Sequence, residues 1–257
     1  MKKTISLLLA LLFLLLSFSC LVGCNEKKEE PQYPTYSKEV SYLHFNTVTI
    51  LSSYGNITQE EFNSYVSMVD EMLEHYHKLF DIYYEYAGIN NIKTINRKAG
   101  KEPVIVDAEL IDFLLYCKEL YTLTNGKTNV MLGSVLSIWH DARETADERG
   151  GNLNIDELPS TSALSAANQH TSIDALVVDK EAKTVFISDA KASIDVGAIA
   201  KGYAAAKVAQ KLKDMGADSM ALNAGGNIIT IGLKPNGSKW VTGITNPDRT
   251  AESSLAC

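Results

Sequence analysis

The sequence predicts an α+β fold: antiparallel strands with long packed helices, incomplete at the C-terminus. Three observations lead to it. Segments 58–80 and 107–124 repeat apolar residues at helical spacing behind capping residues. Short stretches rich in β-branched residues lie between turn residues. Successive strands are joined by short turns, 173–178 to 184–187 through Asp179–Lys183 and 219–223 to 228–231 through Gly225-Gly226, as in antiparallel pairs.

Taken in order, 42–52 alternates in polarity and reads as the first strand. Thr58 caps the first helix, with Glu61 three residues on, the signature of a capping box. Phe62, Tyr65, Val66, Val69, Met72, Leu73, Tyr76 and Leu79 form its apolar face. Gly88, Asn90 and Asn91 mark a loop, and a short polar segment runs on to Gly100. Residues 103–106 are extended. Asp107 caps a second helix that turns Leu110, Ile111, Leu114, Leu115, Cys117 and Leu120 inward, with Cys117 as a small buried hydrophobe. Asn125-Gly126 breaks it. Residues 130–139 are a structured apolar segment, the charged and glycine-containing 141–154 a surface excursion, and 158–168 a short helix. Residues 194–197 form a short strand or turn, 198–215 an alanine- and lysine-rich helix ended by Gly216, and 239–244 the last strand.

The chain has 257 residues, 46% hydrophobic and 21% charged, a globular composition. A net charge of -7 argues against a broad nucleic-acid surface and against adhesion to anionic lipid through charge. The five histidines and four cysteines form no Cys-x-x-Cys or His-x-x-x-His pair, so a zinc site has little support. Residues 1–23 read as a signal peptide: Lys2 and Lys3, an apolar run over 7–16, then small and polar residues. The run is shorter than the roughly 20 residues that span a bilayer. Its end, Leu21-Val22-Gly23-Cys24, resembles the lipobox of bacterial lipoproteins. That resemblance implies acylation of Cys24 as the first mature residue and an anchor on the extracytoplasmic side of the bacterial cell membrane. Several acyl chains exceed the single chain that holds only marginally. Residues 24–40, polar with Pro31 and Pro34, read as a lipidated tether, with a folded domain over 41–257.

Three clusters carry candidate chemistry. In 193–203, Asp195 ends an apolar run, Gly197 permits a turn, and a helix begins with small residues and Lys201. Exposed amide donors and a lysine there suit an anion. Asp195 as a plain helix cap and Lys201 as a solvated side chain fit the same residues. Residues 223–227 (Asn-Ala-Gly-Gly-Asn) allow close backbone approach or an ordinary hairpin turn. Residues 125–133 offer polar groups ahead of an apolar stretch.

In that order and spacing, with Phe45-Asn46-Thr47, Ile95-Asn96, Ala99-Gly100, Trp139 and the Trp240, Gly243-Ile244 and Pro247 segment, the chain resembles the FAD:protein FMN transferases. The resemblance implies transfer of FMN from FAD to a Thr or Ser hydroxyl of an acceptor protein, with release of AMP. It implies a divalent cation, usually magnesium, and acceptors such as membrane subunits of redox complexes. Carried over by position, Asp195 and Lys201 match FAD-contacting residues, and Lys127, Thr128 and Asn129 a stretch lining the FAD site. Phe45 matches a hydrophobic contact, and Ala198 a metal ligand acting through its carbonyl. No catalytic residue is assigned. Members of the family continue for roughly a hundred residues beyond the point matching Cys257, through an H-I-I-D-P-x-T-G-like segment and a metal-binding aspartate. The expectation is therefore that 41–257 is the N-terminal part of the domain and that these residues alone transfer no FMN. The competing expectation is a flavin-binding envelope lipoprotein without transfer activity, or an inactive fragment.

The anchor is directly testable. Cys24→Ser should abolish incorporation of a clickable fatty acid and leave the chain unprocessed or released. Full labelling of that variant would remove Cys24 as the lipidated residue.

Overall fold

The computed structural model describes residues 33–151, 154, 157–244 and 246, and the backbone of 255–256. The leader, Cys24, the first part of the tether, Pro247 and Cys257 lie outside the described residues.

The main sheet is antiparallel, in the order β1-β2-β6-β7, from β1 (Tyr36–Ser41), β2 (Thr49–Ser53), β6 (Ser219–Ala224) and β7 (Asn227–Gly232). Its register sets Leu51 opposite Leu222, both fully buried. A smaller antiparallel sheet runs β3-β5-β4, from β3 (Val104–Ile105), β5 (Thr184–Ile187) and β4 (Leu176–Asp179). β8 (Gly243–Ile244) pairs with β9 (Leu255–Ala256). The α+β class with antiparallel pairing and packed helices is thus observed.

Helix α1 (Gln59–Phe80) starts as its sequence dictates. Thr58 Oγ1 accepts the Glu61 N–H at 3.1 Å, and Glu61 Oε2 accepts the Thr58 N–H at 2.7 Å. Its apolar face is buried through Phe62, Val69, Leu73, Tyr76 and Leu79, packing against β1 and against α6 (Ala200–Asp214). α6 buries Ala204, Ala205, Val208 and Leu212. Asp107 caps α3 (Ala108–Leu123), as read from the sequence.

Four elements differ from the sequence reading. Residues 42–52 are not one strand. β1 begins earlier, inside the residues expected to be tether, because Tyr36 stacks on Phe62 at 5.3 Å and Val40 packs on the core. A 3-10 turn, His44–Asn46, then interrupts the chain, with Phe45 and Asn46 at φ 54° and 50°. The polar stretch before Gly100 contains α2 (Ile92–Arg97), capped by Asn91 and buried through Ile92 and Ile95. The expected excursion at 141–154 is mostly helix: α4 (Gly133–Glu148) runs through it, its charges facing water, until Gly150 and Gly151 turn left-handed. The short helix before the second sheet is α5 (Thr161–Ala167), and only Gly243–Ile244 of the expected 239–244 strand is paired.

Residues 193–195 join no sheet, yet they are fixed at four points. Asn96 Oδ1 accepts the Ile194 N–H at 2.8 Å and Asn96 Nδ2 donates to the Ile194 carbonyl at 2.9 Å. The Asp195 N–H donates to the Val130 carbonyl at 2.8 Å, and the Gly133 N–H to the Ser193 carbonyl at 3.1 Å. A Cβ at Gly133 would lie 2.6 Å from that same Ser193 oxygen, so only glycine admits the contact.

Asn96→Ala leaves the N–H and C=O of Ile194, a residue 1% exposed, without partners. We expect a loss of about 2–4 kcal/mol in urea unfolding. A loss below about 0.5 kcal/mol would show that this pairing does not hold the segment.

Candidate functional site

The fixed segment leads into a cleft of about 400 Å³ with three walls and a floor. The Phe45–Asn46 turn forms one wall. His77 and Phe80 of α1 and the 81–84 loop form the second, and His140 and Arg143 of α4 the third. The floor is Asp195, Val196 and Gly197, followed by Ala200 and Lys201 of α6. The amino end of α6, 15 residues long, therefore lies at the cleft, where the helix dipole favours negative charge.

The carboxylates of the cleft are occupied by the chain itself. Asp81, 7% exposed, accepts the Tyr83 and Tyr84 N–H groups on Oδ1 at 2.6 and 3.0 Å, and the Tyr86 hydroxyl on Oδ2 at 2.7 Å. Burial, together with that bond to Asp81, pushes the Tyr86 hydroxyl up to about 12. Asp195 Oδ1 accepts the Gly197 N–H at 2.9 Å, which shapes the turn into α6. Its Oδ2 faces His140 Nε2 at 3.6 Å, and His140 Nδ1 lies 3.3 Å from the Tyr83 hydroxyl. Lys201 and Arg143, by contrast, have no ion-pair partner among the described residues. The cleft thus joins aromatic walls to two uncommitted cations and a helix amino end, an arrangement suited to a phosphate-bearing aromatic ligand.

The family model for the ApbE family matches residues 45–256. The chain belongs to the ApbE family. The FAD:protein FMN transferase of Haemophilus influenzae is 24% identical over 262 residues, covering 99% of this chain and 68% of that protein. The FAD:protein FMN transferase of Klebsiella pneumoniae is 23% identical over 164 residues, covering 64% of this chain and 47% of its own length. The crystal structure of the ApbE protein of Thermotoga maritima superposes with a TM-score of 0.68 at 22% identity, over 88% of this chain and 68% of that one. This ApbE-family chain therefore spans between about half and two thirds of these relatives.

Of the residues singled out in the sequence, Phe45, Asp195 and Lys201 meet in the cleft. Ala198 lies between cleft residues Gly197 and Ala200, and none of the described N–H groups donates to its carbonyl. Lys127, Thr128 and Asn129 do not line the cleft. Lys127 is exposed, and the Thr128 N–H donates to Thr124 Oγ1 at 3.0 Å. Asn129 is used at both ends: Nδ2 donates to the Thr171 carbonyl at 2.8 Å and Oδ1 accepts the Met131 N–H at 2.9 Å. The 223–227 cluster is the β6–β7 turn. There the Gly225 N–H donates to the Val48 carbonyl at 3.0 Å, just beyond the Phe45 turn.

Sequence reasoning missed His77, Asp81, Tyr83, His140 and Arg143. His140 and Arg143 carried one signal: at i and i+3 they share a face, if 141–148 is read as helix. Among the described residues, one grouping of metal-ligating side chains occurs, the exposed His75, Asp107 and Glu109, and none of these lines the cleft.

Proposed function

We propose that this protein is a lipid-anchored FAD:protein FMN transferase of the extracytoplasmic membrane face. It moves FMN from FAD to a Thr or Ser hydroxyl of an acceptor protein, such as a membrane redox-complex subunit. The observation that carries this reading is the meeting of Phe45, Asp195 and Lys201 at the amino end of α6 in a chain of the ApbE family. Residues 1–23 act as the export signal, Cys24 carries the lipid, and the catalytic fold follows the tether. No helix of the described residues is long and apolar enough to cross a membrane.

In the reaction the acceptor hydroxyl oxygen bonds to the flavin-side phosphorus of FAD, the pyrophosphate bond breaks, and AMP leaves with the bridging oxygen. The hydroxyl proton passes to solvent. Lys201 and Arg143 offset the charge that grows on the attacked phosphate and the departing AMP. The α6 amide groups hold phosphate oxygens, and Phe45 with the Tyr83 and Tyr84 rings gives the aromatic part apolar contact. Asp195 keeps the Gly197 turn closed, so that the amide donors point at the ligand.

A magnesium ion would supply further neutralisation of the pyrophosphate. Among the described residues the Ala198 carbonyl accepts no N–H group, while Asp81 Oδ1 and Asp195 Oδ1 already accept backbone N–H groups. This donor set falls short of the octahedral oxygen shell magnesium demands. This shortfall is the observation that favours the second reading, flavin binding without transfer.

Calorimetric titration with FAD tests the site. Lys201→Ala should weaken binding by about 1.5–3 kcal/mol, roughly 10- to 150-fold, the range for hydrogen bonds to a charged group. Asp195→Ala should weaken it too, with the far-UV spectrum unchanged. Unchanged affinity in both variants would overturn the site. Covalent flavin fluorescence of a membrane protein should vanish when the gene is deleted and return on complementation, and its absence in the complemented strain would overturn the transfer reading.

A further inference from the structure

Two non-glycine residues in succession, Phe45 and Asn46, hold left-handed backbone in a wall of the cleft. Such backbone persists where its surroundings impose it. The side chain that meets this turn from α1 is His77. The Phe45 N–H donates to His77 Nδ1 at 3.4 Å, and the Phe45 ring stands edge-on to the imidazole at 5.7 Å.

This bond requires Nδ1 to be free of hydrogen, so the neutral ring carries its hydrogen on Nε2. Nε2 faces the Tyr86 hydroxyl at 3.4 Å, Tyr86 donates to Asp81 Oδ2 at 2.7 Å, and Asp81 Oδ1 accepts the Tyr83 and Tyr84 N–H groups. A continuous hydrogen-bonded chain therefore runs from the Phe45 turn through His77 to the tyrosine loop of the neighbouring wall.

We propose that His77 is a positioning residue that ties these two walls together, and that protonation of its Nδ1 releases the Phe45–Asn46 wall. A protonated Nδ1 meets the Phe45 N–H donor to donor, and the bond is lost.

The groups facing His77 are Glu74, Lys78 and Asp81 from α1 and its end, Tyr86 from the following loop, and His44 from the 3-10 turn. His44 is itself paired with Asp70 at 2.8 Å. Burial pushes His77 below its ordinary 6.5, with Asp81 pulling the other way. The neutral, wall-holding form is thus complete above that value, and the wall is released as pH falls through the lower folded-state value.

The inference rests on the FAD reading only for its choice of ligand, because its first measurement needs no flavin. Hydrogen–deuterium exchange of the 44–47 segment, corrected for intrinsic rate, should show protection at pH 7.5 that falls about tenfold by pH 5. His77→Asn places an oxygen acceptor near the Nδ1 position and cannot titrate, so it should keep the protection across the range. His77→Ala should lose it throughout. A second variant, Tyr86→Phe, leaves the Phe45 bond in place and should loosen only the 81–84 loop. The same pH profile in wild type and His77→Asn would assign the titration elsewhere and overturn the proposal. Retained protection in His77→Ala would overturn it as well. In parallel, FAD affinity at pH 7.5 should fall at least about fivefold in His77→Ala and recover in His77→Asn. A wild-type chain that binds no FAD defeats the function proposed above and leaves the exchange result to judge His77 alone.

Discussion

The site depends on one side chain meeting the backbone of one residue. Asn96 gives Ile194 both hydrogen bonds that a neighbouring strand would otherwise give. A buried extended segment outside a sheet is costly unless its polar groups are satisfied, and an amide side chain does this because it carries a donor and an acceptor side by side. With Ile194 fixed, Asp195 enters the cleft, Gly197 turns, and α6 starts with its amino end at the ligand space. Gly133 completes the arrangement by letting backbone approach the Ser193 carbonyl.

Behind the cleft, an aromatic cluster makes the walls rigid. Phe80 stacks on Phe113 with centroids 4.1 Å apart, and Tyr203 stands edge-on to Phe113 at 4.9 Å. Phe80 belongs to α1, Phe113 to α3 and Tyr203 to α6, so three helices are locked where two of them line the site. A parallel constraint acts at the rim. A Cβ at Gly225 would fall 1.8 Å from Thr47 Oγ1, so the glycine of the β6–β7 turn allows that turn to close against the residues following Phe45. The glycine cluster at 223–227 thus supports a wall of the cleft rather than touching its contents.

The electrostatic design follows from what each charge already does. The chain is acidic overall, yet the acids of the cleft are spent on backbone N–H groups while Lys201 and Arg143 are not. Carboxylates that serve as turn caps lend the cleft little repulsion toward an anion, because donors surround them. An acidic protein in this way keeps two cations of one cleft without ion-pair partners among the described residues.

The sequence by itself determined the elements whose causes are local. The capping box at Thr58 and Glu61, the Asp107 cap, the apolar faces of α1 and α3 and the β6–β7 turn involve partners within a few residues, and they are found where the pattern puts them. Asp195, Lys201 and Phe45 were legible as candidates because glycine, charge and helix start lie side by side, or because a family pattern marks them. Only the tertiary structure decided the rest. The left-handed turn that divides 42–52 bonds to His77, some thirty residues away, and Ile194 pairs with Asn96, almost a hundred away. The polar run from 141 became helix, and with it His140 and Arg143 became cleft residues, because one face of α4 is covered by its neighbours while its charges stay in water. Periodicity and caps are short-range causes that a linear reading reaches; the burial and backbone strain that built this cleft are imposed by residues far off along the chain.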